Sequence, residues 1–344
     1  MINKARYVIN LGAVGVLCLS SSLFLSGCGA ASSDSSTNNI SNDDNNDETS
    51  APTDITDVIF TKRSADCADY VDTFTASVLD IQESQSFDAS VNITNGSTTC
   101  TFVSNSIPNH NFNDDTAHFA SNVSENTLNL TVVRFPTFAA ATTALSQQTN
   151  NAIFLNGVIL DILSAGCYDP SKNGAGSDGN VQIGCNTRDP WLLDPLSSDT
   201  SFGADSHNAH TQPNGLYHYH GNPNALFDEN PGADGSPVIG FAADGFPIYG
   251  SYFLDLNTGS VRKAESGFTL RTGNRVTIDG LNPSDNTANS SVYDGTYVAD
   301  WEFTDNGDLD ACNGMEVNGQ YGYYVTDTYP WVIKCFKGTP HSSF

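Results

Sequence analysis

The chain has 344 residues, with 13 lysines and arginines against 39 aspartates and glutamates, and a formal net charge of −26. This length can bury one large core or two ordinary ones. Because nucleic-acid phosphates require a basic surface, the charge argues against a nucleic-acid partner. It fits an extracytoplasmic protein whose Asp-rich loops bind hard cations such as calcium, although most single carboxylates are expected only to solvate the surface.

The first residues have the pattern of a targeting segment. Lys4 and Arg6 form a basic start, and an apolar stretch follows from Val8 to Leu25. Leu25-Ser26-Gly27-Cys28 resembles a bacterial lipoprotein cleavage box, which predicts a signal peptide over residues 1–27 and an acylated Cys28. A permanent membrane helix is the alternative, and the small residues before Cys28 favour cleavage. We therefore expect an outer membrane lipoprotein, held to the lipid bilayer through Cys28 and facing the periplasm or the cell surface.

Residues 28–54 are predicted to be a flexible, lipid-anchored linker. They are mostly Ser, Asp, Asn and Thr, and such a segment cannot bury enough apolar surface to offset its ordering entropy. Ordered structure is expected to begin near Ile55.

The cysteines indicate disulfides. Cys18 lies in the leader and Cys28 is the predicted lipid site, which leaves an even set of six, as is usual in exported proteins. Pairing between neighbours is the simplest of 15 arrangements, and the sequence does not select among them. The six are Cys67, Cys100, Cys167, Cys185, Cys312 and Cys335.

The first half of the ordered region is predicted to be mostly strands. Residues Asp66 to Ile81 carry apolar side chains at a four-residue spacing, which predicts a short helix. Ala89–Ile93, Thr99–Ser104 and Thr127–Phe135 alternate polar and apolar residues, which predicts three strands. The apolar run Ala152–Ile162 is interrupted by Asn156-Gly157, a dipeptide that predicts a hairpin tip.

The second half contains a long segment rich in turn-forming residues and several short strands. Gly166–Ser206 is expected to be an irregular, functional loop clamped by Cys167 and Cys185. Strands are predicted at Ser291–Val298, Trp301–Phe303 and Tyr321–Val325. The fold class is therefore mainly β, or β-rich α+β: a single large disulfide-braced domain over residues 55–344 with long functional loops.

Four of the seven histidines lie within fourteen residues of one another. If Gly215–Gly221 is a strand, His218 and His220 share one face while Tyr217 and Tyr219 share the other. His207 and His210 precede a Gln-Pro-Asn-Gly turn, so a hairpin would bring the two pairs together. This clustering of imidazoles predicts a metal site.

These motifs resemble the YHYH-domain family of exported proteins, over roughly residues 100–340. The family's activity is poorly defined, so the resemblance implies a domain type more than a reaction. It also implies a role for His110 in completing the histidine site. Gly322-Tyr323-Tyr324 departs from the family pattern, since a second Tyr-His-Tyr-like element is expected there. The matching segments are Gly215–Gly221, Gly240–Gly250, Ser104–His110, Leu155–Val158, Asp205–Pro213, Asp308–Gly314 and Tyr329–Cys335.

The predicted metal ligands are His218 and His220, then His210, His207 and His110. Ligation by imidazoles without thiolate or thioether fits zinc, copper(II) or nickel, and we expect zinc or copper. A zinc with three protein ligands would keep a water for hydrolysis. His218 and His220 are instead ordinary polar residues if their strand face is solvated. His118 and His341 are expected at the surface without a role.

Other residues are candidates for roles around this ion. Asp205 and Asp244 are candidate general bases or partners that orient an imidazole, although Asp244 fits a turn cap equally well. Tyr217, Tyr219, Phe246 and Tyr249 are candidate walls for a small-molecule or glycan ligand, with core packing as the alternative.

The function predicted from these features is an extracytoplasmic metal-binding lipoprotein, either a metal-dependent hydrolase or an oxidoreductase. Two alternatives stay open. One is a non-enzymatic surface module that binds glycan or a cell-surface partner and carries a calcium loop. The other is a metal-buffering protein with the same histidines. The candidate calcium loop comprises Asn306, Asp308, Asp310 and Asn313, and it lacks the twelfth-position Glu of an EF-hand.

Overall fold

The structure is a computed structural model, and it describes residues 51–197 and 202–344. The predicted signal peptide, Cys28 and most of the predicted linker lie outside the described residues. The described residues belong to one compact unit. Within the described ranges, no helix is both long and apolar enough to cross a membrane.

The described residues form short strands and three 3-10 turns. The turns are Cys67–Tyr70, Pro283–Asp285 and Val298–Asp300. The strands of the first half are β1 (Thr53–Asp54), β2 (Asp72–Asp80), β3 (Gln85–Asn95), β4 (Thr99–Ser104), β5 (Leu128–Val133), β6 (Thr143–Ala144), β7 (Ala152–Phe154), β8 (Ile159–Leu160), β9 (Cys167–Tyr168) and β10 (Asn180–Val181). Those of the second half are β11 (Ala209–Thr211), β12 (Tyr217–Tyr219), β13 (Val238–Ala242), β14 (Pro247–Tyr249), β15 (Tyr252–Asp255), β16 (Ser260–Lys263), β17 (Phe268–Leu270), β18 (Trp301–Phe303), β19 (Gly314–Val317), β20 (Gln320–Tyr324) and β21 (Cys335–Phe336).

The first sheet has five strands in the order β1-β2-β3-β4-β5. Burial along β3 alternates, with Phe87, Ala89, Val91 and Ile93 facing inward, as expected for a sheet with one solvated face. The strands predicted over this region are confirmed. The predicted helix over Asp66–Ile81 is wrong, since the segment is a 3-10 turn followed by β2. Side chains of a strand alternate between its two faces, so residues four apart lie on one face of a strand as well as on one face of a helix.

The second sheet has eight strands in the order β11-β12-β8-β7-β13-β14-β20-β19. The predicted hairpin at Asn156-Gly157 joins β7 to β8 and is confirmed. Gly157 has a φ of +84°, and a Cβ there would lie 2.7 Å from Cβ of Ser104. The Ser104 hydroxyl donates to the Gly157 carbonyl at 2.6 Å, so the hairpin tip is attached to the five-stranded sheet.

Side chains of both sheets share one hydrophobic cluster. Val91 and Phe102 of the five-stranded sheet pack with Ile153, Ile159 and Phe241 of the eight-stranded sheet. The rings of Phe102 and Phe241 are 6.2 Å apart, centroid to centroid. Each such buried side chain stabilises the fold by about 1.5–3 kcal/mol, so the two sheets form one domain core.

Three disulfides pair neighbouring cysteines: Cys67–Cys100, Cys167–Cys185 and Cys312–Cys335. The second closes the turn-rich segment from Gly166, as predicted. The predicted strand at Ser291–Val298 is wrong, because this stretch makes only isolated bridges and runs into a 3-10 turn. The mainly β, disulfide-braced fold class is confirmed.

Candidate metal centre

A hairpin of β11 and β12 brings the histidines together. The strands are antiparallel, and His210 is the direct register partner of His218. Their turn closes with a hydrogen bond from the Gly215 amide to the Gln212 carbonyl at 2.8 Å. Gly215 has a φ of +79°, and a Cβ there would lie 2.7 Å from the Asn122 carbonyl oxygen, so only glycine fits. The predicted hairpin is confirmed.

Alternation along β12 separates the tyrosines from the histidines. Tyr217 and Tyr219 are fully buried in the apolar core. His218 and His220 face the other side of the strand, and each is 3% exposed. The predicted division of the two faces is therefore confirmed.

The side chains of His210, His218 and His220, here called the histidine triad, converge through the same ring atom. Nε2 of His220 lies 3.1 Å from Nε2 of His218 and 3.0 Å from Nε2 of His210. The three rings stand 4.7–4.8 Å apart, centroid to centroid. Their nitrogens form one of the clusters in the described residues that could hold a metal ion.

The hydrogen bonds of two Nδ1 atoms determine which nitrogen of each of these rings carries the proton, and therefore whether its Nε2 presents a lone pair to the centre of the triad. Nδ1 of His210 donates to the Phe202 carbonyl at 2.7 Å, and Nδ1 of His218 donates to the Leu216 carbonyl at 3.2 Å. A neutral imidazole that carries its proton on Nδ1 presents a bare lone pair at Nε2. At least two lone pairs therefore point at the centre of the triad, and His220 can donate a proton to only one of them.

Burial favours the neutral, ligating form of all three rings. It lowers the pKa of His218 to about 3, with the neighbouring His210 as the second cause. Burial also lowers the pKa of His210. The pKa of His220 lies well below its usual value, first because of burial and second because His218 and His210 are adjacent. The rings are uncharged at neutral pH, which is the form that binds metals.

A carboxylate that sequence reasoning missed, Asp161, lies beside the triad. Strand β8 runs parallel to β12, with Ile159 opposite His218 and Leu160 opposite Tyr219. The register continues, since the Asp161 amide donates to the Tyr219 carbonyl at 3.0 Å, and it therefore sets Asp161 beside His220 on the same face. Asp161 interrupts the apolar run Ala152–Ile162, and a lone carboxylate in that position is the signal that could have identified it as a candidate residue.

The Asp161 side chain is only partly satisfied. Its Oδ2 accepts a hydrogen bond from Gln212 Nε2 at 3.1 Å, whereas its buried Oδ1 has no partner. Burial raises the pKa of Asp161 to about 7. Asp161 and the triad line one cavity of about 490 Å³, a size typical of small-molecule sites. A carboxylate with a perturbed pKa in such a cavity is a candidate acid–base group.

Comparison with known proteins gives one finding about the family. The sequence model of the YHYH protein family matches residues 129–338, which is more than half of the chain. The chain belongs to the YHYH protein family. No curated protein and no solved structure matches it. The matched range of this YHYH protein includes the triad and Asp161, whereas the segment Ser104–His110 precedes it.

Two of the five histidines predicted as ligands lie away from the triad. The rings of His110 and His207 are in contact, with centroids 3.8 Å apart and planes tilted by 35°. His110 Nε2 accepts a hydrogen bond from the Tyr219 hydroxyl at 2.6 Å, and its Nδ1 donates to the Asn111 carbonyl. His207 Nδ1 donates to the Pro223 carbonyl at 2.6 Å. Both rings therefore lie on the tyrosine side of β12, so the prediction that they share an ion with the triad is wrong.

The two aspartates predicted to act beside the ion also have other partners. Asp205 accepts from the Tyr217 hydroxyl at 2.9 Å and from the His207 amide at 3.0 Å, which assigns it to the tyrosine side of β12. Asp244 accepts from the Tyr323 hydroxyl at 2.6 Å and from the Gly338 amide at 2.9 Å. It follows β13, three strands and about 14 Å from β12. Their predicted position beside the ion is wrong.

The four aromatic residues proposed as ligand walls belong to the core. Tyr217, Tyr219, Phe246 and Tyr249 are at most 4% exposed, and none of them lines the cavity at the triad. Phe246 packs on Tyr321, with ring centroids 5.0 Å apart. The alternative of core packing is confirmed for all four.

The carboxylates of the predicted calcium loop are paired with cationic side chains. Asp308 forms a two-point ion pair with Arg262, at 2.6 and 2.7 Å, and Asp310 pairs with Lys337 at 3.0 Å. The side-chain Nδ2 of Asn313 donates to the Tyr324 and Val332 carbonyls. Since cationic side chains already neutralise both carboxylates, these residues do not assemble a calcium site.

Proposed function

We propose that this YHYH protein binds one divalent transition-metal ion, zinc or copper, through Nε2 of His210, His218 and His220. The observation that carries the proposal is the convergence of three Nε2 atoms, of the buried His218 and His220 and the half-buried His210, whose lone pairs cannot all be satisfied by hydrogen bonds among them. A buried acceptor without a donor is costly, and a cation at the centre of the triad would remove that cost.

The spacing of the nitrogens agrees with tetrahedral ligation. For metal–nitrogen bonds of about 2.0–2.1 Å, a tetrahedral ion separates its ligand atoms by about 3.3–3.4 Å. The observed separations of 3.0 and 3.1 Å are slightly shorter, so a small outward movement of the rings would accommodate the ion. The carbonyls of Phe202 and Leu216 already orient two of the rings, as outer partners of metal-bound histidines do.

Three protein ligands leave a coordination position open toward the cavity. This is the arrangement of catalytic rather than structural zinc. Bound water there would be acidified by the ion, and Asp161 is the neighbouring carboxylate that can accept its hydrogen bond. We therefore favour a metal-dependent hydrolase if the ion is zinc, and an oxidoreductase if it is copper.

Metal buffering is the second candidate, because it would use the same three histidines. The cavity of about 490 Å³ at the open position favours a site that also receives a small molecule. The glycan-binding surface module with a calcium loop loses its support, since its carboxylates are paired with Arg262 and Lys337.

The extracytoplasmic, lipid-anchored location is part of the proposal. It is supported by the lipoprotein-like sequence before Cys28 and by the three disulfides, which persist in oxidising compartments. The outer membrane, on its periplasmic or cell-surface side, is the predicted site of attachment.

The test is the metal content of untagged full-length protein. We expect about one zinc or copper ion per chain in the wild type and almost none after combined substitution of the triad by alanine. His118→Ala is the matched control, because His118 is an exposed histidine outside the triad. Equal, negligible metal in all samples, including after incubation with either ion, would refute the proposal.

A further inference from the structure

The cavity at the triad has mainly apolar walls. Leu163, Phe202 and Pro213 line it together with Ile183, which is 67% exposed. Such a wide apolar surface on an otherwise acidic protein suits contact with the hydrocarbon part of a ligand, because burying it removes apolar area from water.

The polar part of the wall contains amides and one carboxylate. Gln147, Gln182 and Gln212 line the cavity beside Asp161. Among the described lining residues there is no lysine and no arginine. A ligand anion placed in the cavity would therefore meet no cationic side chain and would face the Asp161 carboxylate.

Asp161 favours a ligand that donates a hydrogen bond. Its buried Oδ1 has no partner, and an unsatisfied buried acceptor is stabilised by any N–H or O–H that reaches it. Because strand register sets Asp161 beside His220, such a donor would lie next to the atom that binds the metal.

We propose that the cavity binds an uncharged ligand with an apolar body and a head group that both reaches the metal and donates a hydrogen bond to Asp161. The inference rests on the proposed metal centre and adds the substrate class. A negative charge on the apolar body, away from the metal ion, is disfavoured, since burying a charge without a partner is costly.

The test uses cobalt(II)-substituted protein, whose visible spectrum reports ligands at the open position. Three probes separate the requirements. The compound 4-phenylimidazole is neutral and keeps an N–H donor, 1-phenylimidazole lacks that donor, and 4-(4-carboxyphenyl)imidazole adds an anion to the apolar ring. We expect the first to bind at least about tenfold more tightly than the other two.

Charge variants assign the preference to this cavity. Ile183→Lys should reduce the difference in affinity between 4-phenylimidazole and the carboxylate probe, because it adds a cation to the apolar wall. Leu256→Lys is the matched control, since Leu256 is similarly exposed (63%) and lies outside the cavity lining. Asp161→Asn should weaken discrimination against the anion without abolishing cobalt binding.

The outcomes separate the two proposals. Failure to bind cobalt in the wild type would overturn the metal centre and this inference with it. Retained cobalt with equal affinities for the neutral and carboxylate probes, or tighter binding of the carboxylate, would overturn only the substrate class. Equal effects of the two lysine variants would also overturn the assignment to this cavity.

Discussion

Removing His220 should abolish most of the stability that a metal ion adds to the fold. His220 is the ring whose Nε2 is close to both other nitrogens, at 3.0 and 3.1 Å. An ion that binds only the folded state stabilises it by about 4.1 kcal/mol when its free concentration is about 1,000 times Kd. Loss of one of three ligands should weaken binding by at least about 100-fold, the upper end of the effect of losing an outer partner of a ligand. At the same ion concentration, the stabilisation of His220→Ala then falls to roughly 1.4 kcal/mol.

The assay is thermal unfolding of wild type and variant, each with and without zinc. At roughly 2 °C per kcal/mol for a domain of this size, zinc should raise the Tm of the wild type by about 8 °C and that of His220→Ala by about 3 °C. His207→Ala is the matched control, since this ring contacts His110 on the opposite side of β12. An unchanged zinc shift in His220→Ala, or a loss of equal size in His207→Ala, would refute the assignment of the triad.

Three further predictions concern groups around the site. Burial lowers the pKa of His110 to about 3, so the contribution of the neutral His110 ring to stability is complete above pH 6.5 and is lost as the pH falls toward 3. The free energy of unfolding of the wild type, relative to that of His110→Gln, should therefore decrease by up to about 1.4 kcal/mol per pH unit in that window. A difference that stays constant with pH in chemical denaturation would contradict this. The raised pKa of Asp161, about 7, makes stability change with pH in the opposite direction: the folded state keeps the proton, so stability is lost as the pH rises toward 7. Asp161→Asn should therefore stabilise the metal-free protein by about 1–3 kcal/mol at pH 8 and much less at pH 4. An equal effect at both pH values would count against a buried carboxylate. Gly215→Ala should destabilise the folded protein by about 1–3 kcal/mol and weaken zinc affinity, because it distorts the hairpin that carries the histidines. Gly174→Ala is the control, since Gly174 has a similar φ of +87° but open space where a Cβ would lie. It should destabilise the protein less and leave zinc affinity unchanged in competition titrations.

Much of the fold followed from local patterns in the sequence. Alternation over Thr99–Ser104 and the Asn156-Gly157 turn are local signals, and both gave the correct element. The helix prediction for Asp66–Ile81 was wrong because a four-residue spacing of apolar side chains occurs on a helix face and on a strand face alike. Its Thr and Val content, together with pairing to β3 along nine residues, decided for the strand.

The candidate site was predictable where it depended on one hairpin. The placement of His210 opposite His218, and of His218 beside His220, follows from a short turn and a period of two. The placement of Asp161 depends on a parallel pairing between β8 and β12, which connects segments more than fifty residues apart and leaves no local trace. His110 was misassigned because its position also depends on a contact between distant segments. Its ring contacts Tyr219, which lies on the face of β12 opposite to the triad.

If the triad binds an ion as proposed, the alternating tyrosines and histidines of β12 would couple strand pairing to ion binding. A slip of one residue would carry Tyr217 and Tyr219 to the cavity and drive His218 and His220 into the apolar core. Since phenols at that position cannot replace the two imidazoles that β12 supplies to the triad, an ion would bind only the correctly paired strand and would shift the folding population toward it by mass action. For a protein expected to fold after export, the metal available outside the cytoplasm would thereby act as a selector of the native register.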